Sequence, residues 1–496
     1  MRKYILIITL LIYTIQGFSQ FSVFSEYFPY NQKTDVYTVT SNFDMGLPLI
    51  FVSGKDVKVF YLSNKYKLQK EIQIKRVSKN SRLYLGSYIV DSNLIINFSN
   101  DKLTSVSQIT VNLSNGSYEE QRINMAHENV EFVTSWELKD SLFVLGILEN
   151  SNNFILQKVY GCGLYSMQEF SFDSIFSDTK SPSIYSIIYE QGQSLRKIDS
   201  SIPVSLKISS HKNKVYLTNN RILITLDEQN NTTQLLTLHL NDNTCSAVNI
   251  PYNALQNAEN SPTLSNSFIY ENTIFQINVN KYEFGLNIKC LNDLNTATYY
   301  HFSRNNDIDF SNSAMYERNE KEGFLFGDPV TWEIKTTRKF LKILSNMSPS
   351  ISVFNKYPNF QILLGGVMDV HQAAGIMSNT VVSSGGEMNI NPNGSLTMPD
   401  PNYNFPTNYS FTSYSSIKSA YFSSMINGTS FNHSNESISK YTYDYIIKYA
   451  NYMTGRHGLV TIFKMNGDYY LGYYSYQDKT YNIEWFKNID DFAIQY

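Results

Sequence analysis

Hydrolysis of a glycosidic bond needs only two carboxylates facing each other across a pocket, so acid pairs are the first residues to weigh. Asp307-Ile308-Asp309 is one such pair. On a strand its two acids would share a face about 7 Å apart, close enough to hold Ca²⁺ or to share a proton. The flanking Asn305-Asn306 and Phe310 suit a polar loop equally well. Glu317, Glu320 and Glu322 are interleaved with Arg318 and Lys321, the pattern of a solvated face. The seven histidines stand at positions 127, 211, 239, 301, 371, 433 and 457, with no pair at metal-ligand spacing. His239 lies between two leucines on a strand-like run, whereas His371 lies beside a Gly/Ser-rich stretch. Asp307, Asp309 and His371 are therefore the tentative binding residues. No catalytic, cofactor-binding or metal site is assigned.

Motifs with a compact chemical logic are absent. There is no G-x-x-x-x-G-K-[ST] or G-x-G-x-x-G loop to cradle phosphate, no G-x-S-x-G elbow, no H-E-x-x-H and no C-x-x-C. No cofactor is implied. The three cysteines, Cys162, Cys245 and Cys290, are an odd number at wide separations, so at least one thiol is free or pairs outside the chain. Between Lys65 and Arg82 seven basic residues face one acid, Glu71; Ile72 and Ile74 alternate with Gln73 and Lys75 there, as on a half-buried strand with a solvated face.

Lys+Arg total 40 and Asp+Glu total 43 in the 496 residues, a formal net charge of −3. That balance argues against a broad electrostatic face for nucleic acid. Charged residues make up only 17 %, while aromatics reach 15 %, with 38 Tyr and 31 Phe, which rules out disorder over most of the chain. A partner, protein or glycan, would be held by apolar and hydrogen-bonded contacts, for which Tyr offers both ring area and a hydroxyl.

Residues 1–19 read as a secretory leader. Arg2 and Lys3 precede an apolar run from Ile5 to Ile15, and Gly17 and Ser19 are small residues three and one before a cut that would leave Gln20 first. The run is too short for a bilayer core of about 30 Å. No later stretch of 18 uncharged apolar residues occurs, so no membrane span is expected in the mature chain. Export to the periplasm or the exterior is the expectation.

The elements that must position any site are strands. Tyr88-Ile89-Val90 turns through Asp91-Ser92 to Leu94-Ile95-Ile96. The same pattern recurs around Asp140-Ser141, Asn219-Asn220 and Glu271-Asn272, each time followed by a second strand pair. Asp and Asn suit such turns because they tolerate left-handed φ. The interval from Asp91 to Asp140 is 49 residues and from Asn219 to Glu271 it is 52; between Asp140 and Asn219 it is 79, which places an insertion near 174–205. Residues 36–76 offer four further strands. Asn466-Gly467 joins Val460–Met465 to Tyr469–Tyr474 as a type I′ hairpin, with a third strand at Tyr481–Phe486. Before it, alternating Tyr441, Tyr443 and Tyr445 read as strand, while Ile446, Ala450 and Met453 read equally as a helix ending at Gly455. Residues 367–438, dense in Gly, Ser, Asn and Pro, read as an irregular insertion.

Four-stranded units of this length, clearest over residues 81–304, resemble those of exported bacterial β-propeller proteins. Named signatures are missing: there is no Trp-Asp repeat or Asp-box series, and Leu364-Gly365-Gly366 is a single Kelch-type doublet. The resemblance implies an all-β fold, a β-propeller of six or seven four-stranded antiparallel blades over residues 20–496, with residues 20–28 adding a strand to the C-terminal meander and closing the ring. The functional expectation is a non-enzymatic binding or scaffolding protein. The alternatives are a glycan-processing hydrolase with carboxylates drawn from several blades, and a surface adhesin or assembly component. Mature protein recovered from the envelope or medium should begin at Gln20, give or take about two residues; N-terminal sequencing that finds Met1 on it would contradict export.

Overall fold

The computed structural model describes all residues except 1–19, 30–33, 41–45, 78–80, 101, 126–128, 139, 162, 164, 175, 177–181, 191–194, 219, 230, 257–260, 320–329, 370–388, 391–395, 398–416, 439, 453–456 and 489–496. Of the described residues, 60 % are in strands and 7 % in helices. The chain divides into two compact units. One holds residues 1–76, 113–116 and 440–496, and the other holds 77–112 and 117–439.

The larger unit contains five sheets of four or five strands in chain order, and a two-stranded pairing of Asn389–Ile390 with Leu396–Thr397. Sheet 2 is the meander Leu83–Val90, Asn93–Ser99, Ser105–Asn112 and Tyr118–Asn124, and sheet 3 the meander Val130–Leu138, Ser141–Leu148, Asn153–Tyr160 and Tyr165–Ser171. Sheet 4 runs through Asn213–Leu217, Arg221–Leu226, Thr232–His239 and Thr244–Pro251, and sheet 5 through Leu264–Tyr270, Thr273–Val279, Glu283–Cys290 and Thr296–Ser303. The turns foreseen at Asp91 and Glu271 have φ of 53° and 52°, and they join residues paired as Val90 with Asn93 and Tyr270 with Thr273.

Each inner sheet buries both faces, which is why its strands read as apolar runs more than as clean alternation. In sheet 3, Val144 and Ile155 pack with Leu85, Tyr88 and Ile95 of sheet 2. Their neighbours Leu145, Ile147 and Phe154 pack the other way, with Val215, Ile222 and Leu236 of sheet 4. In sheet 4, Tyr216 and Leu223 turn towards Phe268, Phe275 and Phe284 of sheet 5, a core that continues to Ile351, Ile362 and Phe422 of sheet 6. Meander sheets stacked face on face in chain order are the architecture of β-propeller blades. The fold class is accordingly the expected one, all-β with blade sheets.

Two sheets depart from the four-stranded plan. The insertion before sheet 4 contributes a short strand, Arg196–Ile198, that pairs parallel with Asn213–Leu217, and helix α1, Leu206–Ser209, capped by Ser205. Sheet 6 has the spatial order Val330–Ile334, Met315–Asn319, Ile417–Asn427, Asn359–Asp369, Ser348–Lys356. Helix α2, Thr337–Leu344, capped by Thr336, precedes its last hairpin and buries Phe340, Leu341 and Leu344. The strand Ile417–Asn427 falls inside the stretch read as irregular. Its buried Ala420, Phe422, Met425 and Ile426 outweigh the polar composition around them. It pairs with Asn359–Asp369 along its whole length, from Asn359 opposite Asn427 to Asp369 opposite Ile417. Gly365 makes this pairing close, because a Cβ there would sit 2.1 Å from the Ala420 carbonyl oxygen.

The smaller unit pairs two sheets. Sheet 1 is Thr34–Thr38, Leu47–Ser53, Asp56–Leu62 and Leu68–Lys75. Sheet 7 is His457–Met465, Asp468–Ser475 and Thr480–Phe486, with Gln20–Tyr27 added as its outer strand. The added strand pairs antiparallel from Gln20 opposite Phe486 to Tyr27 opposite Thr480, as the sequence led us to expect. Asn466 and Gly467 have φ of 51° and 85°, the paired positive values a type I′ turn requires. Helix α3, Thr442–Tyr452, settles the ambiguous tyrosine-rich segment: Ile446 and Ala450, one turn apart, are both buried. Aromatic rings bind the two sheets. Phe28 lies 4.3 Å from Phe51 between ring centroids, and Phe51 in turn lies 4.9 Å from Tyr481 and 5.3 Å from Phe60.

Phe28 and its neighbour Tyr27 make a contrast. Phe28 is 4 % exposed and Tyr27 is 61 % exposed. Phe28→Ala should cost about 3–5 kcal/mol in urea unfolding, and Tyr27→Ala less than about 0.5 kcal/mol. Equal losses would contradict the docking of the N-terminal segment.

Candidate functional site

The structure separates the residues that sequence reasoning singled out. Asp307 and Asp309 are exposed in a turn-rich segment that follows the last strand of sheet 5, and not on a strand, so the strand geometry expected of them is not formed. His371 lies outside the described residues. Among the described residues no group of three or more His, Cys, Asp or Glu could hold a metal ion. Cys245 and Cys290 are free thiols. In the basic stretch, its one acid, Glu71, pairs with Lys58 of the neighbouring strand at 2.8 Å and Lys70 donates to the Ser114 carbonyl at 2.5 Å, which is how a solvated outer strand behaves.

Near Asp309 a carboxamide does the organising. Asn312 Oδ1 accepts from the Met425 amide at 2.7 Å and meets His433 Nε2 at 2.8 Å. Asn312 Nδ2 donates to the Ser434 carbonyl at 2.6 Å and to Glu436 O at 2.9 Å. Burial holds His433 below the ordinary imidazole range, against the pull of Asp309. These bonds tie the segment after Asn427 to sheet 6.

The most strongly perturbed groups are sealed. Lys214 and Asp227 each have no exposed side-chain surface, with Nζ 3.5 Å from Oδ2. Lys214 also donates to Asn266 Oδ1 at 2.6 Å. Asp227 Oδ1 accepts from Thr233 Oγ1 at 2.7 Å and from the Tyr252 hydroxyl at 2.9 Å. Its Oδ2 accepts from the Ser267 amide at 2.9 Å and from Ser267 Oγ at 2.7 Å. Asn266 reaches on to the carbonyls of Ser210 and Pro349, both at 2.9 Å. Burial pulls Lys214 down to about 8, opposed by Asp227, and pushes Tyr252 well up. A charge pair this dry joins sheets 4 and 5 and the start of sheet 6, and no substrate reaches it.

A third cluster, in the smaller unit, stands nearer solvent. Glu484 on sheet 7 is 7 % exposed. Its Oε1 accepts from the Tyr449 hydroxyl of α3 at 3.1 Å and from the Tyr473 hydroxyl of the neighbouring strand at 2.8 Å. Its Oε2 is buried with no hydrogen-bond partner. Burial first, and then Glu484, raises Tyr449 to about 12 and Tyr473 further. Sequence reasoning missed this cluster, since Glu484 and Tyr449 are 35 positions apart with only a helix-or-strand ambiguity between them.

Among the described residues five of the seven exposed aromatics stand on outermost strands, and the other two, Tyr357 and Tyr476, lie in turns. Phe21 and Tyr27 stand on the outer strand of sheet 7, Tyr118 on that of sheet 2, Tyr299 on that of sheet 5 and Trp332 on that of sheet 6. Phe21 stacks on Trp485 with ring centroids 5.6 Å apart, and the Trp485 indole donates to Asp468 Oδ2 at 2.9 Å.

No protein-family model matches the chain, and no curated protein sequence matches it. Among solved structures it is similar to the β-propeller domain of Vanderwaltozyma polyspora Nup133, at 9 % identity and TM-score 0.32 over 93 % of this chain and 99 % of that one. A prolyl endopeptidase matches at 6 % identity and TM-score 0.28 over 66 % of this chain, which spans only 39 % of the length of that enzyme. A subtype N10 neuraminidase-like protein matches at 10 % identity and TM-score 0.27, over 70 % of this chain and 95 % of that one. Likenesses this low assign no activity.

The Asp227 knot makes an asymmetric prediction. Asp227→Ala strands an ammonium and four donor hydrogens and should cost about 3–5 kcal/mol. Lys214→Met leaves Asp227 its four neutral donors and should cost visibly less. Urea unfolding that reverses this order would show that Asp227 is not the centre of the network.

Proposed function

We propose that the chain is an exported, non-enzymatic binding or scaffolding protein built on blade sheets. One observation carries the reading: large aromatic side chains stand exposed on the outermost strands of several sheets, whereas the buried charge pair is sealed away from any substrate. Tyr27 and Phe21 are 61 % and 52 % exposed, and Trp332 is 44 % exposed. Aromatic anchors of this kind are enriched where proteins recognise partners. The leader-like residues 1–19 support release into the periplasm or outside the cell. No described helix is long and apolar enough to cross a membrane.

Residues 370–416 belong to the same reading as a binding excursion, because they emerge from the adjacent ends of two paired strands. Asp369 lies directly opposite Ile417. An Asn-Gly turn joining those two residues would therefore remove 370–416 and keep both paired strands, whereas a cut reaching Ser439 would remove a central strand of sheet 6. The test is retention of envelope proteins and of a panel of immobilised glycans by the full and the excised protein. Full protein should retain a partner that the excised protein loses by about tenfold or more. Uncharged contacts imply less than about a threefold change between low and moderate salt, since only ion pairs are screened on the ~10 Å scale. Sustained hydrolysis of aryl glycosides, lost on substituting one carboxylate, would favour the hydrolase reading instead.

A further inference from the structure

We propose that Tyr66 and Tyr470 form an oxidative cross-linking site, at which a one-electron oxidant joins the two rings as dityrosine and ties sheet 1 to sheet 7. Each phenol gives up one electron and one proton. The two phenoxyl radicals bond through the ring carbons beside their oxygens. Each of those carbons then passes its hydrogen, as a proton, to its own ring oxygen, which restores both hydroxyls. With a peroxidase as catalyst, hydrogen peroxide takes up the two electrons and two protons and leaves as two waters. The coupling does not depend on the binding role above; that the chain meets such an oxidant outside the cell rests on the export reading.

The reacting edges already meet. Tyr66, in the turn between Asp56–Leu62 and Leu68–Lys75, and Tyr470, on Asp468–Ser475, share a hydrogen bond of 2.6 Å between their hydroxyl oxygens. Their ring centroids are 5.7 Å apart and the planes are inclined by 37°. In dityrosine the two hydroxyls flank the new bond, so this contact sets the coupling carbons side by side, and the rings need to close by roughly one bond length. Tyr66 is held in place at a conformational cost: its φ of 58° is left-handed, a region that bulky side chains seldom adopt. Ser63 fixes that turn. Its amide donates to the Lys67 carbonyl at 2.9 Å, its carbonyl accepts from the Tyr66 amide at 2.9 Å, and its Oγ accepts from the amides of Lys65 and Lys67 at 3.3 and 3.2 Å. Tyr470 is fixed by sheet 7: it is buried, stacks on Phe463 with centroids 5.2 Å apart, and lies directly opposite Trp485 on the next strand. Trp485 in turn stacks on the exposed Phe21. An oxidant can therefore act on half-buried Tyr66 directly, or draw an electron from Tyr470 through the readily oxidised indole beside it. Burial holds both phenols above their ordinary range and Asp468 pushes the same way, so each proton leaves together with its electron.

The experiment exposes the full mature chain, in dilute solution, to a peroxidase and hydrogen peroxide. The expected product is a monomer lighter by two hydrogens, with dityrosine fluorescence and with the Tyr66 and Tyr470 peptides joined in a peptide map. Because the fold holds the two rings together, its yield should be unchanged by about tenfold further dilution. Tyr66→Phe keeps the ring and removes the phenol, and should lower the yield of cross-linked monomer about tenfold or more. Tyr470→Phe should do the same; if that buried change prevents folding, the half-buried Tyr66→Phe still decides. Joining residues 404 positions apart restricts the unfolded chain, so the cross-linked monomer should melt at least about 2 °C above the untreated protein. Absence of a cross-linked monomer, a cross-link mapped to other tyrosines, an equal yield from Tyr66→Phe, or an unchanged melting temperature overturns the proposal. None of these outcomes bears on export, which N-terminal sequencing decides.

Discussion

Asp227 is a negative charge with no exposed surface, and the larger unit is organised around keeping it there. A buried carboxylate is tolerable only where donors and a counter-charge arrive from fixed directions. Here they come from Lys214 on one strand of sheet 4, Thr233 on another, Tyr252 just past its outer strand, and Ser267 on the first strand of sheet 5. Asn266 passes the constraint to Ser210, next to α1, and to Pro349, in sheet 6. A slip of one residue in any of these strands would turn its donor to the opposite face and leave the charge bare. Close-packed cores resist such a slip too, and this network adds the cost of a bared buried charge, so it reinforces register where the cores supply bulk stability.

That division of labour explains the composition. Sheets covered on both faces require apolar residues at consecutive positions, and broad rings fill the wedge between neighbouring sheets. Phe284 stacks on Phe302 with centroids 4.9 Å apart, and Phe302, Phe310 and Phe340 all lie against Phe422. Aromatic pairs add about 0.5–1.5 kcal/mol each beyond their area. Many of the described phenylalanines and tyrosines are buried in these cores, and several of the exposed rings, among them Phe21, Tyr27, Tyr118 and Tyr299, stand on outer strands.

The same contrast separates the two carboxylate sites. Asp227 is fully satisfied, so it is structure. Glu484 has two tyrosine hydroxyls on one oxygen and nothing on the other, although it is nearly as buried.

Much of the architecture was legible in local sequence because it depends on local rules. Asp91, Glu271 and Asn466-Gly467 mark turns through their tolerance of positive φ, and the spacing of those turns sets the four-strand unit. The repeated hairpins, the added N-terminal strand and the absence of a compact catalytic motif could all be read without coordinates. Long-range pairing could not. Ile417–Asn427 was hidden by polar neighbours, since its strand state follows from burial against Asn359–Asp369 and not from its own composition. Asp307 and Asp309 looked paired because alternation was assumed where the chain turns. The clusters at Asp227 and Glu484 join residues up to 83 positions apart along the chain, and their partners are chosen by which strands lie side by side. Sequence determined where the chain turns and what it can bury; only the tertiary structure decided which charges meet, because that is a property of stacked sheets and not of any one strand.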